Sequence, residues 1–262
     1  MDKMPVLFVG HGSPMNAISD NVYTKNWKRI ADKIPRPKAI LSFSAHWYTK
    51  GTKIMDGESP RTVYDMYGFP KELYAIDYSV KGAPWLSQKA SELISKNTQF
   101  DHSWGIDHGT WSVLVHMYPE RDIPVIQISI DAEASLQEHY EIGRQLKELR
   151  KQGVLIFASG NIVHNLGRVN WEMPGKGYDW ADEFDQFIYE NIIEQRYDHI
   201  LNYQEIGPVA NLAVPMEDHF CPLLYALGAL EEDDQIEVFN KSGELGSLTM
   251  TSYLFGGSQI NV

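Results

Sequence analysis

Four short runs of the chain, residues 5–9, 39–43, 124–130 and 154–158, are mostly aliphatic and are bounded by turn residues. Runs of this length with apolar residues on both faces suit buried parallel strands better than half-exposed antiparallel ones. Between them the apolar positions recur at helical spacing. Residues 21–34 carry Trp27 and Ile30, and residues 84–96 open with a proline and then place Leu86, Ala90, Leu93 and Ile94 on one face. Residues 133–151 carry Leu136, Tyr140, Leu146 and Leu149 and stop at Gly153; residues 178–197 carry Phe184, Phe187, Ile188 and Ile192. A further helix is expected to start near His219 and run through Leu223, Leu224, Leu227 and Leu230. Residues 235–239 and 247–254 alternate more strongly and read as an antiparallel edge. The alternation predicts one α/β domain over residues 1–262, with a mostly parallel central sheet and helices on both faces.

Residues 48–83 fit neither period. They are dense in aromatic residues, Gly and Pro, among them Tyr64, Tyr67, Phe69, Pro70, Tyr74 and Tyr78. An irregular stretch of this length inside a compact domain is usually functional or poorly ordered, and the aromatic density favours function.

Composition narrows the classes. The formal net charge of -12 argues against nucleic acid and anionic membrane surfaces as partners. One cysteine, Cys221, excludes an intrachain disulfide framework and a cysteine-rich metal site, and suits a reducing, cytoplasmic setting. Cys221 itself reads as a small buried hydrophobe. No apolar run approaches a membrane span, and the N-terminus does not read as a signal peptide. Gly10-His11-Gly12-Ser13 lacks the spacing of a phosphate-binding loop, and no nucleophile elbow surrounds Ser13 or Ser159.

The histidines carry the chemistry. His11 and His46 directly follow the first two apolar runs, and His164 lies just past the fourth. That places them where parallel strands emerge at their carboxyl ends, the edge at which open α/β sheets bind ligands. If the strands are neighbours, such residues can share one ion. Glycines 10, 12 and 160 beside them allow close approach. His219 and His108 join them as candidates. His102, His139 and His199 read as solvated, and His116 as core or surface. Taken singly each histidine has an ordinary structural reading; the joint pattern points to a metal site. The residues alone leave both open.

Five motifs in order then become recognisable: Phe8-Val9-Gly10-His11-Gly12-Ser13-Pro14, Ser42-Phe43-Ser44-Ala45-His46-Trp47, Gly105-Ile106-Asp107-His108-Gly109-Thr110-Trp111, Ser159-Gly160-Asn161-Ile162-Val163-His164-Asn165 and Glu217-Asp218-His219-Phe220-Cys221. Together they resemble the class III extradiol ring-cleavage dioxygenases, in particular the bacterial 4,5-DOPA dioxygenase extradiol-like branch. The resemblance implies one divalent metal, Fe(II) for oxygenase activity with Zn(II) a plausible bound ion, and a small catechol plus O2 as substrates. It implies His11, His46 and His219 as metal ligands, with His164 as acid–base residue and further ligand and His108 as a second proton donor. Glu217 competes with His219 for the last ligand position, since the protocatechuate-cleaving branch has a glutamate there. Trp47, Trp111 and Met15 are expected to wall the ring slot, and Arg168 is a surface arginine that could receive a carboxylate. A zinc hydrolase or a non-catalytic metal-binding adaptor are the alternatives, and a monomer is the expected state.

Overall fold

A computed structural model describes residues 3–256. Its ten strands are β1 (Val6–Gly10), β2 (Ala39–Thr49), β3 (Thr52–Met55), β4 (Thr98–Asp101), β5 (Val125–Asp131), β6 (Val154–Gly160), β7 (Gln235–Phe239), β8 (Gly243–Glu244), β9 (Leu248–Thr249) and β10 (Ser252–Gly256). Nine α-helices are described: α1 (Val22–Lys33), α2 (Lys71–Tyr74), α3 (Pro84–Leu93), α4 (His108–Met117), α5 (Leu136–Leu146), α6 (Asp179–Ile193), α7 (Tyr197–Leu201), α8 (Pro208–Ala213) and α9 (Cys221–Gly228). The main sheet runs β4-β3-β5-β2-β6-β1-β10-β7. Its centre, β5-β2-β6-β1, is parallel, and these are the four aliphatic runs. Antiparallel pairings of β3 with β5 and of β10 with β1 and β7, and a parallel pairing of β4 with β3, complete the edges.

β1, β5 and β6 are buried throughout; β1 and β6 are apolar on both faces up to their ends, whereas one face of β5 buries Gln127, Ser129 and Asp131 in hydrogen bonds. Alternation along β2 separates the two covering layers. Phe43 stacks on Tyr225 of α9 with ring centroids 4.0 Å apart. Ser42, pointing the other way, shares a 2.8 Å hydrogen bond with Thr110 of α4. Helices therefore flank both faces.

Local chemistry sets most helix limits. Asn21 caps α1 and Ser135 caps α5, each in a reciprocal capping box. The predicted helix over residues 133–151 is α5 followed by a 3₁₀ segment, Lys147–Gln152, which Gly153 ends in the left-handed conformation. The helix expected over residues 178–197 stops at Ile193, before Gln195 adopts a positive φ.

Three expectations change. The predicted strand 39–43 extends to Thr49, so His46 lies within β2 rather than beyond it. The run 247–254 breaks into β9 and β10, because the backbone at Met250 folds over the end of β1; a side chain on Gly10 would meet it at 2.8 Å. His139 is buried, not solvated, and bonds the Tyr225 hydroxyl through Nδ1 at 2.7 Å. Among the described residues no helix is long and apolar enough to cross a membrane.

Candidate metal centre

The carboxyl ends of β1, β2 and β6 form the floor of the site. β6 lies between the other two, so His11 and His46 do not sit on neighbouring strands. They reach toward each other across the small residues Ser159 and Gly160 that end β6. His219 arrives from the 3₁₀ turn Glu217–His219 just before α9. Its carbonyl accepts from the Asn161 N–H at 2.9 Å, and a β-carbon on Gly160 would stand 2.2 Å from that same oxygen. Glycine at position 160 is thus what lets the His219 turn close on the sheet.

The imidazoles of His11, His46 and His219 converge, with centroids 5.0 to 5.4 Å apart. One ring nitrogen from each forms a group whose members all lie within 4.8 Å. The Nε2 atoms of His11 and His46 are 3.0 Å apart. Two nitrogens bound to one cation at roughly 2.0–2.1 Å stand about that far from each other. The outer partners fix the tautomers. Ser159 donates its hydroxyl to the Gly109 carbonyl, so it accepts from His11 Nδ1 at 3.0 Å. Asp65 Oδ2 lies 3.1 Å from His46 Nδ1, an ion-pair contact that favours the proton there. Both arrangements leave an Nε2 lone pair facing inward. His219 is buried and neither of its ring nitrogens has a hydrogen-bond partner; Asp218 Oδ1 lies 3.1 Å from Nδ1 but accepts from the His219 backbone N–H instead. Opposed lone pairs and an orphaned imidazole are costly in a buried site and are relieved together by one cation. The donor set fits a divalent transition metal.

Electrostatics agree. Burial, reinforced by the neighbouring imidazoles, holds His11 and His219 well below the ordinary imidazole value. His164 falls to about 4, chiefly through burial. His108 also falls to about 4, by burial and the His46 charge, against the pull of Asp65. His46 alone of the five is raised: burial opposes its charge, and contact with Asp65 outweighs it. Asp107 is pushed up to about 6 by burial and then by Asp65, while it accepts from Ser44 and Gln127. Neutral imidazoles are the form that ligates, so His11 and His219 are held ready, whereas His46 gives up its extra proton on binding.

The remaining candidates divide. His164 lies flat on His219, centroids 3.5 Å apart and planes 6° apart, and groups with Asp218 and His219 rather than with His11 and His46. His108, the first residue of α4, has its ring centroid 3.7 Å from that of His46. Of the two candidates in one turn, His219 enters the cluster, whereas the Glu217 carboxylate faces the Tyr203 hydroxyl and the Gln204 amide. Trp111 is fully buried, and its indole N–H is used on the Val63 carbonyl. Trp47 is buried and stacks on Trp104 at 5.2 Å. Met15 is half-buried in the turn Pro14–Ile18, and Arg168 is exposed. Cys221 is buried with its thiol pushed well up by burial. Asp65, Ser159 and Asp218 are the residues that histidine positions alone did not reveal.

Residues 5–259 match the family model described as the catalytic LigB subunit of aromatic ring-opening dioxygenase. The chain belongs to this LigB family. It is 42% identical, over 97% of its own length and 95% of the relative's, to a protein of Escherichia coli K12 named 4,5-DOPA dioxygenase extradiol. A protein of the same name from Beta vulgaris is 35% identical, with 95% of each chain covered. A crystal structure of an uncharacterized protein from Escherichia coli K12 superposes with a TM-score of 0.84 at 39% identity, covering 97% of this chain and 100% of that one. The LigB fold thus accounts for the parallel centre and for a histidine cluster at its carboxyl edge.

Proposed function

We propose that this LigB-family protein is an extradiol dioxygenase that opens the ring of a small catechol of the DOPA type, with one divalent metal held by His11, His46 and His219. The observation that carries the reading is the convergence of three imidazoles, two with their lone pairs turned inward and the third without a hydrogen-bond partner. Fe(II) is the ion for oxygenase activity, and the all-imidazole set suits Zn(II) as well. Bound Fe(II) would supply the Lewis acidity that makes a catechol give up its protons and the electron path to O2.

The chain's own residues supply the proton handling. His164 lies beside the ligand His219 and is neutral at working pH, so it is the base for the catechol proton. The proton that His164 takes from the catechol is the one returned to the departing oxygen, by the His164 imidazolium itself or by way of Nε2 of His108, whose Nδ1 stands against Asp65. His46, Asp65, His164 and Asp218 are the partly exposed members of the cluster, with His11, His108 and His219 behind them.

The test is to strip the metal and reconstitute anaerobically with Fe(II) or Zn(II), then add L-DOPA or plain catechol with oxygen. The expected result is a yellow semialdehyde with matched oxygen uptake under Fe(II) only. His164→Asn should lower kcat by about 10²–10⁴-fold with metal content unchanged. Ester hydrolysis under Zn(II) without oxygen uptake would instead make the protein a hydrolase. No turnover of any catechol with the metal bound would make it a metal-binding adaptor.

A further inference from the structure

Asp65 comes from the least regular part of the chain, yet two site histidines meet on it. Its Oδ2 stands 3.1 Å from His46 Nδ1 and 3.0 Å from His108 Nδ1. Its Oδ1 accepts the backbone N–H of His108 at 3.0 Å. The carboxylate is mostly buried, and burial alone would raise its pKa; contact with His108 and His46 holds it well below the usual carboxylate range.

The segment that delivers it is tied down two residues earlier. Val63 donates its N–H to the Ile106 carbonyl at 2.7 Å, and its own carbonyl accepts the Trp111 indole N–H at 2.9 Å. Thr62 forms an isolated parallel bridge with Ile106. The loop is thus fastened to the entry and first turn of α4, the helix whose first residue is His108. One anchored belt sets the distance from Asp65 to both imidazoles.

We propose that Asp65 is a positioning residue that serves two groups together: it orients His46 toward the cation and holds His108 for proton return. This rests on the metal reading of His46 given above. A carboxylate on the far nitrogen of a ligating histidine fixes its tautomer and rotation and raises its basicity. Sharing one carboxylate between a ligand and a proton donor makes the geometry of each depend on the other. Without Asp65 the inner nitrogen of His46 would compete with the outer one for the proton, and His108 would lose both the carboxylate 3.0 Å from its Nδ1 and the acceptor of its backbone N–H.

The experiment uses the full-length apo protein and two probes other than turnover. Zn(II) affinity is measured by competition with a chromogenic chelator, and the Co(II)-loaded protein gives a visible spectrum that reports ligand geometry. Asp65→Ala should bind Zn(II) about 10–100-fold more weakly, with an altered Co(II) spectrum. Asp65→Asn, matched in size, should fall between it and the parent. The Asn variant decides the matter if the Ala variant does not fold. Parent-like affinity and spectrum in the folded variants, with or without a lower Tm, would overturn the inference. A parent protein that binds neither ion would overturn the metal reading instead.

Discussion

Gly160→Ala is the sharpest available probe of how the centre is assembled. The added methyl would sit 2.2 Å from the His219 carbonyl oxygen and 3.1 Å from both the His219 carbonyl carbon and Pro222 Cγ. Real contacts of this kind do not fall below 3.0 Å, so the His219 turn must retreat by nearly an ångström. The oxygen it displaces also accepts the Asn161 N–H, so that hydrogen bond stretches with it. Overpacking of this size in a buried site costs roughly 1–3 kcal/mol of stability. In a chain of this length that lowers Tm by about 2–4 °C per kcal/mol. Ligand distances tolerate only about ±0.2 Å, and a displacement of an ångström at a reacting centre costs about 10²-fold. Gly160→Ala should therefore lose about 10²-fold in Zn(II) affinity, some 2.7 kcal/mol. Chelator competition reads the affinity, and thermal unfolding of the apo protein reads the stability. Parent values in both would show that the turn is not held against β6 in the way described.

Glu217→Gln should leave Zn(II) affinity within about twofold of the parent, because the carboxylate faces Tyr203 and Gln204, whereas His219→Ala should abolish binding; chelator competition checks both. Asp185 on α6 is pushed up from its ordinary 3.8 to about 6 by burial, with one oxygen accepting from Thr251 and the other unpartnered. The fold favours the neutral acid, so this group's contribution is lost as pH rises from 3.8 through about 6, by about 3 kcal/mol in all. Asp185→Asn should therefore have a higher Tm than the parent at pH 8 and a similar one at pH 4. His139 has the opposite sign: burial lowers it from 6.5 to about 4, so its contribution is present above 6.5 and fades as pH falls toward 4. By pH 5 the loss is about 2 kcal/mol, and His139→Gln should flatten the acid limb of denaturant-derived stability measured from pH 7 to 5.

Much of this architecture was legible because burial writes itself into composition. β1, β5 and β6 are covered on both faces, so most of their residues are apolar, and the runs place three of the cluster's histidines near strand ends. β3 and β4 carried no such signal. They are four residues each and near the sheet's edge: β4 is partly exposed, with Gln99 and Asp101 tolerated there, and β3 is mostly buried but too short, with Lys53 in its middle, to stand out. The sequence places His46 after its strand because Ser42, Ser44 and Ala45 dilute the apolar run; Ser42 and Ser44 meet α4 and its cap through Thr110 and Asp107. His139 was misread because the charges around it belong to the outer face of α5, while its own position faces Tyr225. The role of Asp65 had no local pattern at all. Its partners are in β2 and α4, and its acidity means something only once those are beside it.

The three proposed ligands lie at positions 11, 46 and 219, and the last is seated only when the turn before α9 meets the end of β6. A chain emerging from the ribosome would have exposed His11 and His46 long before residue 219 exists. Two imidazoles on unformed strands make a weak, unselective chelate, so ion capture has to wait until most of the polypeptide has been synthesised and the sheet has closed. Metal loading would then serve as a readout of completed folding, and a C-terminal truncation ahead of residue 219 should yield a product that no added ion can rescue.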